Sequence, residues 1–210
     1  LLALFLHHAP SQNWRIRAAH YNHRVRGRAS DADERFAREL CRRWDAPLVA
    51  GRRNSKQPAL NEEAMRDLRL AFLEKAARKA KADFVATGHQ RNDLAETFLM
   101  RLLRGAGGDG LASIAPRAER NGIILARPLL PFFRKDIEGW LSDNRIPFRT
   151  DATNRRLDRA RARVRLELIP HLAKRYNANV AEDLARTAEI LREENTFLDA
   201  MAAKGATASA

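Results

Sequence analysis

Apolar residues recur along the chain with two different spacings, which predict alternating helices and strands. Phe36, Leu40 and Trp44 recur every four residues behind Ser30, and this pattern predicts an amphipathic helix that the serine caps. The short run at 83–87 (DFVAT) predicts a buried strand. Similar patterns predict further helices around 1–6, 61–76, 93–104 and 137–141, and further strands over 15–20, 48–49 and 123–130.

The order of these elements predicts an α/β protein. Strands that alternate with helices form βαβ units, so a parallel sheet covered on both faces is expected over residues 1–152. From about residue 157 onward only helical patterns occur. The chain is therefore expected to contain a Rossmann-like parallel-sheet domain followed by a small helical domain over 153–210.

Composition narrows the class of protein. No apolar run approaches the ~20 residues that cross a membrane, and Cys41 alone cannot build a disulfide framework, a cysteine zinc site or an iron–sulfur cluster within this chain. These features predict a cytoplasmic protein. The formal net charge of +13 favours a polyanionic partner such as nucleic acid, although a solvated basic surface is also compatible with it. Much of the charge falls in one short segment, on Arg155, Arg156, Arg159, Arg161, Arg163 and Arg165.

Residues 87–97 combine groups suited to phosphate and amine chemistry. They follow a predicted strand and begin a helix, and open α/β sheets bind ligands at this edge. Asp93 and Glu96 are three residues apart, so their carboxylates share one side of the first turn and can hold magnesium or an ammonium group. His89 can donate to a phosphate or transfer a proton. Acidic residues are common at any helix start, and the neighbouring Gly-His pair and glycines favour a functional site here.

Three other segments carry candidate groups. His20, Asn22 and His23 follow a predicted strand without a third metal ligand nearby, so they predict a loop that lines a nucleotide pocket rather than a metal site. Glycines at 105–110 lack the Lys-Ser/Thr of a P-loop and follow a helix, which predicts a flexible connection. Arg66 shares a helix with another arginine, and such residues usually form surface ion pairs.

Five motifs, in order and over almost the whole chain, resemble those of the tRNA(Ile)-lysidine synthetases, within the PP-loop ATP pyrophosphatase superfamily. The resemblance implies an adenine-nucleotide alpha-hydrolase-like domain over 1–152 and a helical tRNA-binding or linker domain over 153–210. The matching segments are HYNH at 20–23 with 30–33, EAMR at 63–66, 88–97 continuing to RLLRG at 101–105, RPLL at 127–130, and DATN at 151–154 with RARVR at 161–165.

The resemblance implies an ATP-dependent ligase that forms a C–N bond. ATP would adenylate the wobble cytidine of tRNA(Ile) at its C2 carbonyl oxygen, and free L-lysine would attack that carbon to give lysidine. Catalytic roles are implied for His89, Asp93 and Glu96, with Asp93 also binding Mg²⁺, and Glu96→Ala is expected to abolish lysidine formation while leaving the fold intact. Substrate contacts are implied for Arg66, Arg104, Arg161 and Arg165, and contacts with ATP for His20, Asn22 and His23. The oligomeric state stays open, with a homodimer among the options.

The chain departs from the family pattern at three places. Asn92 precedes Asp93 where the family usually has two aspartates, and Ala162 follows Arg161 where the family has asparagine. The Ser-Gly-Gly-x-Asp-Ser loop that grips pyrophosphate does not occur in the 210 residues. We therefore expect a truncated sequence, inactive by itself, in which loss of the central first strand leaves neighbouring strands unpaired.

Two alternative functions remain open at this point. One is another PP-loop tRNA-modifying enzyme, although Cys41 alone cannot supply the paired cysteines of an iron–sulfur thiolase. The other is a non-catalytic RNA-binding module that lost its ATP chemistry. Retention of His89, Asp93 and Glu96 favours an enzyme over the second alternative.

Overall fold

The computed structural model describes residues 1–54, 61–149 and 160–208, and they form two compact units. The first unit contains residues 1–87 and 118–126, and the second contains residues 88–117 and 127–210. The predicted domain boundary near 151–158 lies outside the described residues, so the division into 1–152 and 153–210 stays a prediction.

The first unit has the predicted alternation of strands and helices. Strands β1 and β2 are parallel, with Ala18 opposite Leu48 and Asn22 opposite Arg52. Strand β5 lies between β3 and β4, and it runs parallel to β3. The predicted parallel-sheet α/β fold is thus confirmed. The elements are α1 (Leu2–Gln12), β1 (Ala18–Asn22), α2 (Arg28–Arg43), β2 (Leu48–Arg52), α3 (Glu62–Ala80), β3 (Phe84–Ala86), β4 (Arg117–Arg120) and β5 (Ile123–Ala126).

The strand predicted over 123–130 is shorter than expected. It ends at Ala126, and the chain then turns so that the Leu130 N–H donates to the Arg127 carbonyl at 3.1 Å. Pro128 has no N–H with which to extend a ladder of hydrogen bonds, which accounts for the early end. The hydrophobic pattern did not predict strand β4, because three of its four residues are charged.

Helix caps explain where two helices of the first unit begin. Asn61 caps α3 as its type predicts, since its Oδ1 accepts the Ala64 N–H at 2.8 Å. Helix α2 begins at Arg28, two residues before the predicted cap. Ser30 instead accepts the Arg26 N–H at 3.1 Å, so it orders the turn that leads into the helix.

The second unit is helical in its regular structure. Its buried centre includes Leu94, Leu130 and Ala185, against which Ile114 packs. Residues 105–110, predicted as a flexible connection, partly form the short helix α5, so that prediction was wrong for its second half. The elements are α4 (Arg91–Leu102), α5 (Gly108–Leu111), α6 (Arg134–Asp143), α7 (Ala160–Arg163), a π-helical segment (Val164–Leu168), α8 (Ile169–Arg175) and α9 (Val180–Ala208).

Helices α4 and α9 pack closely because small side chains face each other. Ala95 on α4 and Ala185 and Ala188 on α9 are completely buried. At the beginning of α4, the Arg91 guanidinium donates to the carboxylates of Glu182 and Glu189 on α9, at 2.7 and 2.9 Å. The packing and the ion pairs together hold the first turn of α4 against α9.

Candidate functional site

The first turn of α4 is fixed by hydrogen bonds at its beginning. The Gln90 N–H donates to Asp93 Oδ2 at 2.9 Å, so this carboxylate satisfies a backbone donor that the helix leaves unpaired. Asn92 Oδ1 accepts the N–H of Arg134, the first residue of α6, at 2.9 Å. Asn92 stands where the family usually has aspartate. Its side-chain amide therefore links the first turn of α4 to the first residue of α6.

A cluster of two carboxylates and two arginines lies between α4 and the helices that follow residue 160, and it is called the carboxylate–arginine cluster below. Its centre is Glu96, whose side chain is 1% exposed. Arg161 Nε donates to one oxygen of Glu96 at 2.8 Å, while Arg165 donates to both oxygens. Three charge-assisted hydrogen bonds thus surround a carboxylate that water does not reach.

Asp93 and Thr97 complete the cluster on the same face of α4. Arg161 Nη2 donates to Asp93 Oδ1 at 3.0 Å and to Thr97 Oγ1 at 3.4 Å. Arg165 Nη2 lies 3.9 Å from the same oxygen of Asp93. Asp93 is 15% exposed, so it is the more accessible of the two carboxylates. The helical spacing of 93, 96 and 97 is what aligns these groups.

A π-helical segment brings the two arginines to the cluster. The Ile169 N–H bonds to the carbonyl of Val164, five residues earlier, in place of the usual four. Pro170 follows immediately, and it has no N–H to donate to the carbonyl of Leu166. The wider turn accommodates the proline without ending the helix. Such turns frequently occur at functional sites, and here one holds Arg165.

The cluster has two negative carboxylates and two positive guanidiniums, so its charges are equal and opposite. The hydrogen bonds that Arg165 donates to Glu96 raise the pKa of Arg165, so its guanidinium stays charged. Within the part of the chain that the structure describes, Nη1 of Arg161 and Nη1 of Arg165 donate no hydrogen bond. Both nitrogens can therefore still donate to an anion. The cluster can therefore bind a carboxylate or phosphate through its arginines.

The described residues do not fit a magnesium ion at Asp93. One oxygen of this carboxylate accepts a backbone N–H and the other accepts a guanidinium N–H, and a divalent cation would meet that positive group. Within 1–54, 61–149 and 160–208, no group of three or more His, Cys, Asp or Glu side chains could hold a metal ion. In the same residues, no helix is long and apolar enough to cross a membrane.

The structure does not bring all predicted residues of the second unit into the cluster. His89 is half-buried on the loop that precedes α4. Arg104 is exposed beyond the end of α4 and borders a groove that is described below. The DATN motif at 151–154, with Arg155, Arg156 and Arg159, lies outside the described residues. Roles for His89 and Arg104 stay predictions.

The predicted nucleotide-binding residues lie in the first unit. Asn22 is 2% exposed, and its amide donates to Asp31 Oδ1 at 3.0 Å and to Glu34 Oε2 at 3.1 Å. Its Oδ1 accepts the Arg24 N–H at 2.9 Å. Every polar group of this side chain is thus used inside the protein, which indicates that Asn22 orders the loop after β1. Arg66 is exposed on α3 in the same unit.

His20, within β1, and His23, in the loop after it, are held in their neutral form. Burial lowers the pKa of His20 and of His23, and nearby Arg69 and Arg53 lower the latter further. His23 also packs edge-on against Tyr21, with ring centroids 4.9 Å apart. At neutral pH these rings offer a flat surface and a hydrogen-bonding nitrogen rather than a positive charge. Their role toward ATP stays a prediction.

Sequence reasoning missed two residues that shape the cluster. Thr97 accepts a hydrogen bond from Arg161, and its place beside Glu96 on the helix is the signal that could have found it. Arg91 fixes the first turn of α4 against α9 through residues 91 and 98 positions away. No local sequence pattern predicts partners that are so far apart in the sequence.

Comparisons with known proteins bear on these motifs. The model of a family described as the PP-loop domain matches residues 1–172. Three curated relatives named tRNA(Ile)-lysidine synthase are similar to this chain. That of Symbiobacterium thermophilum is 40% identical over 195 residues, or 90% of this chain and 40% of the relative. That of Geobacter sulfurreducens is 40% identical over 187 residues, or 86% and 39%. That of Chlorobaculum tepidum is 38% identical over 208 residues, or 95% and 60%.

The chain thus spans 39% to 60% of the length of these relatives. Among solved structures, the U34-tRNA thiolase NcsA from Methanococcus maripaludis, with its [4Fe-4S] cluster, superposes with a TM-score of 0.68. It is 16% identical, and the match covers 91% of this chain and 67% of the thiolase. This likeness supports the same fold.

Proposed function

Because the chain belongs to the PP-loop domain family, we propose that it forms the catalytic part of a tRNA(Ile)-lysidine synthase. Such an enzyme would use ATP to adenylate the wobble cytidine of tRNA(Ile) at its C2 carbonyl oxygen, with release of pyrophosphate. The ε-amine of free L-lysine would then attack C2 and expel AMP. The family and the names of the relatives support this proposal, and the carboxylate–arginine cluster carries it.

The cluster supports the proposal because it unites two motifs that are distant in sequence. Glu96 and Asp93 lie in one motif shared with the lysidine synthetases, while Arg161 and Arg165 lie in another, 65 to 72 residues away. Paired charges of both signs suit a zwitterionic amino acid such as lysine, whose carboxylate and amine need opposite partners.

The geometry suggests different roles for the two carboxylates. Asp93 is partly exposed and can accept the lysine ammonium when Arg161 turns toward an anion. Glu96 is buried beneath both arginines, so we assign it the task of holding them in place. Arg161 and Arg165 would bind the lysine carboxylate or a phosphate with their remaining N–H groups. Positively charged donors of this kind stabilise negative charge that develops in the reaction.

Several finer assignments belong to the same proposal. ATP, free L-lysine and tRNA(Ile) would be the substrates, and a cytoplasmic location follows from them. We do not assign Mg²⁺ to Asp93, because both oxygens of this side chain already accept N–H bonds. We extend no proposal to the oligomeric state.

The decisive test measures pyrophosphate release in the longest form of the protein that its gene encodes. The Ser-Gly-Gly-x-Asp-Ser loop does not occur in these 210 residues, so we expect the 210-residue chain by itself to release no pyrophosphate, and it serves as the comparison. We expect sustained release only when ATP, lysine and a tRNA(Ile) transcript are all present, because adenylation without lysine can release at most one pyrophosphate per tRNA. Arg165→Gln should lower kcat/KM for lysine about 100-fold, the typical effect of losing one fixed donor.

A matched control separates this effect from a general loss of positive charge. Arg175→Gln changes an exposed arginine at the end of α8 and should leave kcat/KM for lysine unchanged. Sustained pyrophosphate release, at more than one per tRNA, that does not depend on lysine would contradict the proposal if the protein binds the tRNA. That result would favour a different PP-loop reaction, and binding without any release would favour the RNA-binding module.

A further inference from the structure

An apolar groove of about 590 Å³ runs along the second unit beyond the carboxylate–arginine cluster. Its walls come from the last turn of α4 and from the helices after residue 160, and they include Met100, Leu103, Val164 and Leu168. Leu103 is 69% exposed, although it is a large hydrophobic residue. The volume falls within the ~300–1,000 Å³ typical of small-molecule sites. The groove is therefore large enough to take a planar organic group from solvent.

The rim of the groove is mainly basic. Arg104, Arg163 and His171 border it, and Glu167 is the acidic residue among the described residues that line it. Among the described residues, Arg104 makes no side-chain hydrogen bond or ion pair, so its guanidinium can turn toward a ligand. An apolar floor with a cationic rim complements a nucleotide, because the base is flat and weakly polar while its phosphates are negative.

The groove lies next to the cluster, beyond it along α4. Thr97, which accepts a hydrogen bond from Arg161, precedes Met100 by three residues, or about 4.5 Å along the helix axis. On the opposite wall, Arg161 and Arg165 face the cluster, while residues 160, 163, 164, 167 and 168 line the groove. A ligand whose reacting group lies at the cluster would thus extend directly into the groove.

We propose that this groove binds the base next to the cytidine that reacts, in a single-stranded RNA loop. The base would lie on Leu103 and Val164, and its phosphates would contact Arg104 and Arg163. A base that enters the groove must leave the stack of the loop, so binding would also keep the neighbouring cytidine unstacked and open to reaction. This inference rests on the proposed function, since it takes the cluster as the place where the cytidine reacts.

The test measures binding of an anticodon stem-loop RNA to the longest encoded form, without ATP or lysine. The RNA is compared with versions in which one neighbour of the wobble cytidine, on either side, is abasic. We expect one abasic version to bind about fivefold more weakly or worse. Leu103→Gln should cause a similar loss, and combining the two should cause no further loss because both remove one contact.

Two matched variants sharpen the comparison. Leu102→Gln changes an equally apolar, 47% exposed neighbour that does not line the groove, and it should bind the RNA like the unaltered protein. Arg104→Gln should reduce the salt dependence of binding by about one phosphate contact, whereas Arg175→Gln, at the end of α8 and outside the groove lining, should leave that dependence unchanged.

Additive effects of Leu103→Gln and the abasic RNA would overturn the inference, as would unchanged binding by Leu103→Gln. A change in sedimentation mass with unchanged RNA affinity would also overturn it and would assign the groove to a second copy of the chain. Failure of the proposed function remains distinguishable. It would appear as absent lysine-dependent pyrophosphate release in the unaltered protein, which this binding comparison does not use.

Discussion

Replacing Glu96 removes a buried carboxylate of the second unit that accepts three hydrogen bonds from two arginines. The resemblance to lysidine synthetases predicts that Glu96→Ala abolishes activity and leaves the fold intact. The structure changes the second part of that expectation. Glu96 is 1% exposed and accepts hydrogen bonds from Arg161 and Arg165, so alanine would leave two guanidiniums with Asp93 as their nearby carboxylate.

The size of the effect follows from burial. Removing one partner of a buried ion pair typically costs roughly 3–5 kcal/mol. Arg161 and Arg165 are 35% and 29% exposed, so they can turn toward water, and we expect the lower limit of about 3 kcal/mol for Glu96→Ala. Glu96→Gln keeps the shape and one acceptor oxygen, so its cost should be smaller, about 1–2 kcal/mol.

Chemical denaturation followed by circular dichroism would measure these changes, with the free energy of unfolding compared at constant m-value. Glu138→Gln is the matched control, because Glu138 forms an ion pair with Arg134 at 2.7 Å on α6 that is much more exposed than Glu96. That change should cost less than about 0.5 kcal/mol. If Glu96→Ala were no more destabilising than this control, Glu96 would not organise the arginines, and the reasoning from burial would be refuted.

Four further substitutions test other parts of the structure. Gly51→Ala should lower the free energy of unfolding by about 1–3 kcal/mol, because its Cβ would lie 2.5 Å from the Phe72 ring. Gly139→Ala, in open space on α6, should instead raise it by about 0.5–1 kcal/mol, and thermal melts that rank the two variants otherwise would contradict this. Arg91→Ala should speed amide hydrogen exchange in the first half of α9, and exchange at the unaltered rate would show that the ion pairs do not hold that helix. Hydrogen bonds from arginine lower the pKa of Glu34 from 4.5 to about 2, so its contribution to stability is present above pH 4.5 and is lost as the pH falls toward 2. Denaturation across that range should show a smaller loss for Glu34→Gln, and an equal loss would contradict the assignment.

Local chemistry was enough to predict the fold class. Helices and strands follow from hydrophobic spacing because a helix repeats every 3.6 residues and a strand every two. The Asn61 cap was predictable for the same local reason, since its side chain reaches a backbone N–H three residues away. Asp93 and Glu96 were recognisable as candidates because three-residue spacing places both on one side of a helix.

Contacts between residues that are far apart in the sequence could not be predicted from local patterns. The sequence marked Asp93, Glu96, Arg161 and Arg165 separately, and only the folded chain pairs each carboxylate with the arginines. In the folded chain Asp93 is more exposed than Glu96. We therefore assign substrate contact to Asp93 and the positioning of the arginines to Glu96. Local spacing fixes which residues share a helix face, whereas burial and ion pairing depend on which other segment packs against that face.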